Sequence, residues 1–278
     1  MPSLLITGGT GTIGRAIAGA ALASYERICI YSRDEYKQSL MRSDLGDDPR
    51  LRWFLGDVRD RERLRRALEG VQDVVHAAAL KRVEAGEYNP GEFVKTNTLG
   101  TLNLIEAAHD AGVQKVVGIS TDKAHNPQNA YGATKLLMEK VLLAANNARG
   151  DSGPRFAVTR FGNVMGSRGS VLETWLRLKA AGAKSLPVTD ARCTRYWLTQ
   201  ATAVQIVMQT LDQMPAASLP ATLPAFLVTD LAEALEMPWN EVGLRPGEQF
   251  HESMGDADTS QNAQRLTVAE IKCLLSVS

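Results

Sequence analysis

The chain has 278 residues, of which 44% are hydrophobic, and 31 Lys and Arg balance 31 Asp and Glu. That length suits one generous α/β domain, or a large domain with a small cap. The neutral balance leaves no electrostatic footprint for nucleic acid or an anionic membrane, and no run approaches the ~20 apolar residues of a membrane span.

The chain enters a predicted strand at Ser3 with no basic-then-apolar leader before it, so a cytoplasmic protein is expected. Strands are predicted at 3–7, 27–32, 51–56, 72–77, 115–121 and 156–160, with helical patterns at 13–23, 61–68, 90–111 and 131–148. Val- and Ile-rich strands that alternate with helices predict a doubly wound parallel sheet, a Rossmann-type α/β fold with right-handed crossovers. The basic stretch 59–66 is interleaved with Asp60, Glu62 and Leu64 and reads as the solvated face of a helix.

After Gly162 the rhythm changes. Helices are predicted at 172–181, 199–211, 231–235 and 267–275, but the segments 186–189 and 223–228 are short and punctuated by proline. The chain is therefore divided into a cofactor-binding part, 1–162, and a smaller, interleaved substrate-binding part, 163–278. Cys29, Cys193 and Cys273 are widely spaced and form neither a disulfide framework nor a metal-ligand set.

Gly8, Gly11 and Gly14 stand between the first strand and the first helix at GxxGxxG spacing. Such a turn bends tightly, lets backbone approach a pyrophosphate, and aims the N–H groups of a helix N-terminus at it. The second strand ends Tyr31-Ser32-Arg33-Asp34, with Lys37 following. Ser32, Arg33 and Lys37 suit a 2′-phosphate and favour NADP, whereas Asp34 turned inward would suit NAD. Asp57 is placed to meet the adenine edge. Tyr131 and Lys135, four apart, share a helix face, which suits proton transfer from a substrate hydroxyl as hydride leaves. Asp122 and Lys123 follow Thr121 at the end of the fifth predicted strand and offer an acid and a base together. A capped turn ahead of Asn126-Pro127 would explain the same residues.

The strings TGGTGTIG, YSRDEYKQ, GDVRD, HAAALKRVEAGEYNP, KTNTLGT, STDKAHNPQNAYGATK, RFGNVMGSRGS, TRYWLT and GLRPGEQFHE run through almost the whole chain. It resembles the inverting UDP-N-acetylglucosamine 4,6-dehydratases, extended short-chain dehydrogenases of polysaccharide biosynthesis. The resemblance implies that Tyr131 and Lys135 support C4 oxidation, Lys123 removes the C5 proton, Asp122 protonates the departing C6 hydroxyl, and Thr121 bonds the sugar near O4. For Lys123 to act as a base, neighbouring cationic charge and partial burial are expected to lower its pKa, and Lys135 is expected to lower that of Tyr131. It further implies cofactor contacts from Thr10, Thr12 and Ile13 in the turn, from Val58, and from Ala77, Ala78, Ala79, Lys81 and Asn97. The substrate falls to Lys81 again, Asn163, Ser167, Arg168, Gly169, Ser170, Arg192, Arg195, Arg245 and Glu248. The implied ligands are NADP, or NAD, and a UDP-sugar, and a homo-oligomer is implied through the 90–111 and 131–148 helices.

The chain departs from the family at Arg82 and Glu84, where KHVP is usual, and at Leu172-Glu173, where a proline is common. Pro215, Pro220 and Pro224 loosen the segment before Leu223. A 4- or 5-epimerase on the same scaffold, needing no acid–base pair over C5 and C6, is the rival enzyme reading. A silent NADP-sensing module is the third.

Overall fold

A computed structural model of the chain describes residues 2–215, 217–218 and 223–276; Pro220 lies outside them. The strands β1 (Ser3–Thr7), β2 (Arg27–Ser32), β3 (Leu51–Leu55), β4 (Asp73–His76), β5 (Lys115–Thr121) and β6 (Arg155–Phe161) pair in parallel in the order 6-5-4-1-2-3. Every residue of β1 is buried, because helices cover both faces of the sheet. Leu4 and Ile6 face one apolar cluster and Leu5 the other, as the period of two requires. The order reverses between β1 and β4, and such a switch point opens a crevice beyond the carboxyl ends of the strands.

The helices α1 (Thr12–Ala21), α2 (Glu35–Asp44), α3 (Arg61–Ala67), α4 (Val83–Tyr88), α5 (Pro90–Phe93), α6 (Gly100–Ala111) and α7 (Ala130–Ala145) connect these strands. The sequence reading has no counterpart for α2 or α4, and it differs again over 90–111. The α2 segment buries only Gln38 and Met41 among its ten residues, so it carries little apolar period, and Asp34 starts it by capping the Lys37 N–H. The single helix predicted over 90–111 is interrupted by a π-helical stretch at Val94–Leu99. That stretch turns Asn97 inward, where its amide bonds both the N–H and the carbonyl of Leu80 and reaches the Thr134 hydroxyl.

Beyond β6 the pieces are shorter. They are β7 (Asn163–Val164), α8 (Val171–Ala180), β8 (Leu186–Val188), β9 (Thr194–Leu198), α9 (Gln200–Gln213), β10 (Ala217–Ser218), β11 (Ala225–Leu227), α10 (Val228–Ala234), β12 (Trp239–Glu241), β13 (Ser253–Gly255), β14 (Asp258–Thr259) and α11 (Val268–Ser276). A third apolar cluster, around Trp175, Trp197, Phe226 and Ile271, holds much of this region together. Its α9 nevertheless packs on α1 and β10 extends the main sheet beside β6, so the two regions are stitched into one another. Cys29 and Cys193 are buried, Cys273 is exposed, and all three are free thiols. No helix among the described residues is long and apolar enough to cross a membrane.

Candidate active site

The glycine turn lies at the switch point. Gly8 has φ +66°, and a Cβ there would come within 2.8 Å of the Ala78 backbone, so glycine alone lets the turn lie against the segment after β4. Gly11 caps α1 without a side-chain bond and no acidic residue occupies the first turn, which leaves that helix end open to an anion. The turn forms the shared wall of two cavities, of about 680 Å³ and about 240 Å³.

The smaller cavity is lined by Thr10, Ser32, Arg33, Lys37, Asp57 and Val58, with Ala77, Ala78 and Ala79. Asp34 also borders it, but its carboxylate accepts from the Lys37 N–H at 3.0 Å and pairs with the Lys37 ammonium at 2.6 Å. Lys37 is thereby engaged, while the half-exposed Arg33 makes a looser 3.6 Å pair with Asp57. Asp57 does not cap α3; Asp60 does.

On the larger cavity, β5 delivers Thr121 and a tight turn delivers Lys123, with Asp122 buried just behind the lining. The α7 helix starts at once, capped by Asn129 on the Gly132 N–H, and so points Tyr131 and Lys135 at the same space. Asp122 is buried: one carboxylate oxygen accepts from the Thr121 hydroxyl at 2.9 Å and from the Lys123 ammonium at 3.0 Å, and the other has no partner. Burial pushes its carboxyl up from the ordinary value. The Lys123 ammonium also meets Glu252 at 2.9 Å. Burial by itself would lower Lys123, but Asp122 and Glu252 outweigh it and hold the ammonium above an ordinary lysine. The expected lowering of Lys123 is therefore corrected: carboxylates, not cations, are its nearest neighbours.

Tyr131 is pushed up to about 12 by burial, against a smaller opposing effect of the Thr121 hydroxyl and Lys123 charge, so the expected lowering by Lys135 is not found. Lys135 is itself lowered to about 7 by burial, and its ammonium donates to the Ile119 carbonyl at 2.6 Å.

The second region closes the cavity. Asn163, Ser167, Arg168, Gly169, Ser170, Arg195, Arg245 and Glu248 all line it, as does Lys81, whose ammonium lies 3.5 Å from the Ser167 hydroxyl. Arg168 crosses back to the glycine turn, its N–H on the Thr12 hydroxyl and its guanidinium on the Thr10 carbonyl. Glu173 takes the Gly169 N–H, and Glu84 ion-pairs with Arg245 across the mouth. Two residues assigned to ligands stand elsewhere. Arg192 is off the cavity, forked on Asp190 and stacked 4.4 Å over the Phe250 ring. Asn97 is behind the wall, tying the Leu80 backbone to α7. The sequence reading missed Glu252, although it closes the GLRPGEQFHE string; nothing local marks it as a partner of Lys123.

A glycine turn at the switch point of a parallel sheet, with Tyr131 and Lys135 beside it, defines a Rossmann-fold protein of the extended short-chain dehydrogenase class. A family model described as "Polysaccharide biosynthesis protein" matches residues 4–272, and the chain belongs to that family. It is 46% identical to a UDP-N-acetylglucosamine 4,6-dehydratase (inverting) of Campylobacter jejuni, over 93% of this chain and 78% of that one. It is also 38% identical to a UDP-glucose 4-epimerase of Rickettsia rickettsii, over 95% and 80% of the two chains. The solved structure of Pen from Bacillus thuringiensis superposes with a TM-score of 0.93 at 31% identity, covering 100% of this chain and 98% of that one.

Proposed function

We propose that this nucleotide-sugar dehydratase, a hydro-lyase, takes a UDP-N-acetylhexosamine, removes water between C5 and C6 and inverts C5, with NADP as its resident oxidant. The observation that carries the reading is the Asp122–Lys123 pair, 3.0 Å apart, with Asp122 buried and Lys123 lining the cavity that also holds Tyr131 and Lys135. A 4-epimerase needs the Tyr–Lys pair alone and gives Asp122 and Lys123 nothing to do.

The cofactor fits the residues present: an open helix N-terminus for its pyrophosphate, Asp57 and Val58 at the adenine end, and Arg33 with Ser32 for a 2′-phosphate. When bound, its nicotinamide would accept hydride from C4 and return it at C6. The protein's own part is proton handling. Tyr131, reacting as the phenolate that a Lys135 charge beside it stabilises, takes the proton of the C4 hydroxyl and becomes the neutral phenol. With C4 a ketone, the C5 proton is acidic and passes to Lys123. Asp122 gives its proton to the C6 oxygen, which leaves as water. The Thr121 hydroxyl orients the sugar at O4.

Residues 1–162 thus hold the cofactor and the reacting groups, and 163–278 hold the UDP moiety through Arg168, Arg195 and Arg245, whose guanidinium groups match phosphate oxygens, and through Glu248 near the uridine and ribose. Exposed Leu99, Leu102 and Leu137 support pairing of two copies through the α6 and α7 side. Cytoplasmic pools of UDP-sugars and NADP fit the expected location.

Incubation with NADP and UDP-N-acetylglucosamine, read by mass spectrometry, tests the reading. Loss of one water without net NADP consumption is the expected result, and C5 inversion is read from the product's NMR spectrum. An unchanged mass with an altered sugar spectrum would put the epimerase in its place. Arg33→Ser should weaken NADP about tenfold relative to NAD, the loss of one charge-assisted bond.

A further inference from the structure

We propose that Glu252 is a positioning residue of this reaction: with Arg195 it fixes Lys123 against Asp122 and leaves that pair one transferable proton. The inference rests on the dehydratase reading above and adds a residue that the reading does not require.

The geometry is that of a closed cluster. Glu252 is 3% exposed, and one carboxylate oxygen lies 2.9 Å from the Lys123 ammonium and 3.6 Å from the Arg195 guanidinium. Its backbone N–H donates to the Ser260 hydroxyl at 2.9 Å, and that hydroxyl donates to the Thr194 carbonyl, next to Arg195 on β9. Glu252 is thus fastened to the strand that carries its second cation. Lys123 is drawn between two carboxylates, one from each region of the molecule.

The charge count follows. Asp122, Glu252 and Glu248 face Lys123 and Arg195, so with Lys123 charged both cations are fully offset. Arg195 cannot give up its proton, and with Lys123 it keeps Glu252 ionised: burial would raise the carboxyl, and the two cations outweigh that. Burial pushes Asp122 the other way, and one of its oxygens is buried without a partner. The proton of Lys123 therefore has one acceptor, Asp122, across 3.0 Å. That transfer makes a neutral amine and a carboxylic acid, the base and acid the elimination needs, without changing the net charge of the pocket. In the elimination the C5–H bond breaks and an N–H bond forms on Lys123. The C5 electron pair closes the C5–C6 double bond, the C6–O bond breaks, and the oxygen leaves with the Asp122 proton as water. Lys123 is again an ammonium and Asp122 again a carboxylate. Glu248 lies 3.5 Å from Arg195, and the other ionisable groups facing the cluster are Tyr131 on α7, Tyr196 on β9 and His251.

Carboxyl 13C NMR of protein labelled at Asp and Glu, with Asp122→Asn and Glu252→Gln spectra for assignment, decides the matter. In the wild type, Asp122 should titrate above an ordinary Asp and Glu252 below an ordinary Glu; the reverse order overturns the proposal. In Glu252→Gln, Asp122 should titrate about one pH unit or more lower, because a neighbouring negative charge is gone. The pH profile of kcat should move the same way, with KM for the UDP-sugar held within about twofold. An unmoved Asp122, or a loss of rate equal at every pH, overturns it. Should Glu252→Gln not fold, the wild-type order decides alone. Failure of the wild type to dehydrate any UDP-hexosamine would sink the dehydratase reading, whereas the carboxyl titrations need no turnover and still decide the part of Glu252.

Discussion

Lys123 and Lys135 face one cavity and are both deeply placed, yet the protein treats their charges in opposite ways. Lys135 rises from α7 into the first region, where its ammonium meets a carbonyl and burial lowers it to about 7. Its one carboxylate neighbour by charge, Glu139, is already claimed by a two-pronged pair with Arg160 at 2.7 and 2.8 Å. Lys123 sits where the two regions meet, and carboxylates from both sides keep it charged. Burial of a lysine therefore says little about its charge until the nearest acids are counted. The first region supplies a group whose charge is easily lost beside the cofactor site. The seam between the regions supplies one that gives up its proton only to a partner.

The sharpest way to break this contrast is to remove the charge at the seam. Lys123→Met should slow dehydration by about 10²–10⁴-fold, the usual worth of a general base. Reduction of the nicotinamide on adding UDP-sugar should persist, because Tyr131 and Lys135 are intact. Parallel loss of both would mean that Lys123 serves binding and not elimination. Next in size, Arg160→Met should cost about 3–5 kcal/mol in urea unfolding, since it leaves Glu139 buried and unpaired. It should also raise Lys135, whose ammonium then has a free carboxylate nearby, and so make the two lysines alike.

The contrast also marks how far the sequence could be read. The sheet, the glycine turn and the Tyr131–Lys135 spacing are local patterns, set by periods of two and 3.6 and by glycines between a strand and a helix, and such patterns survive in one dimension. The α2 helix escaped notice because its face is nearly all polar, and the π-helical stretch because nothing in Val94–Leu99 breaks a helical period. Glu252 and the raised charge of Lys123 depend on a contact between distant parts of the chain. Arg192 looked like a ligand for its type and neighbourhood, but Asp190, two residues away, engages it.

A smaller perturbation tests the seam through the backbone. A Cβ at Gly132 would press into the Lys123 carbonyl oxygen, because the first turn of α7 packs directly on the turn that carries Asp122 and Lys123. Gly132→Ala should cost about 1–3 kcal/mol, the range for overpacking, and it should lower kcat by more than it raises KM. A variant that lost stability and kept full activity would show that the spacing of Tyr131 and Lys123 is not critical.

The gentlest test asks whether Lys135 is as uncharged as its surroundings imply. Its folded value of about 7 lies below the ordinary lysine value of 10.5, so between those two the unfolded chain binds more protons than the folded one. Stability contributed at this site must then rise with pH through that window, at about 1.4 kcal/mol per pH unit, and be flat below it. Lys135→Met has no such dependence, while every other titrating group is common to both proteins. The stability difference between variant and wild type, measured by urea unfolding, should favour the variant most below about pH 7. It should then shrink steadily as the pH climbs toward 10. The lost bond to the Ile119 carbonyl shifts the whole difference by a constant and leaves its slope untouched. A slope of zero across the window would mean that Lys135 stays charged in the folded protein, and that the two lysines differ in their partners but not in their protons.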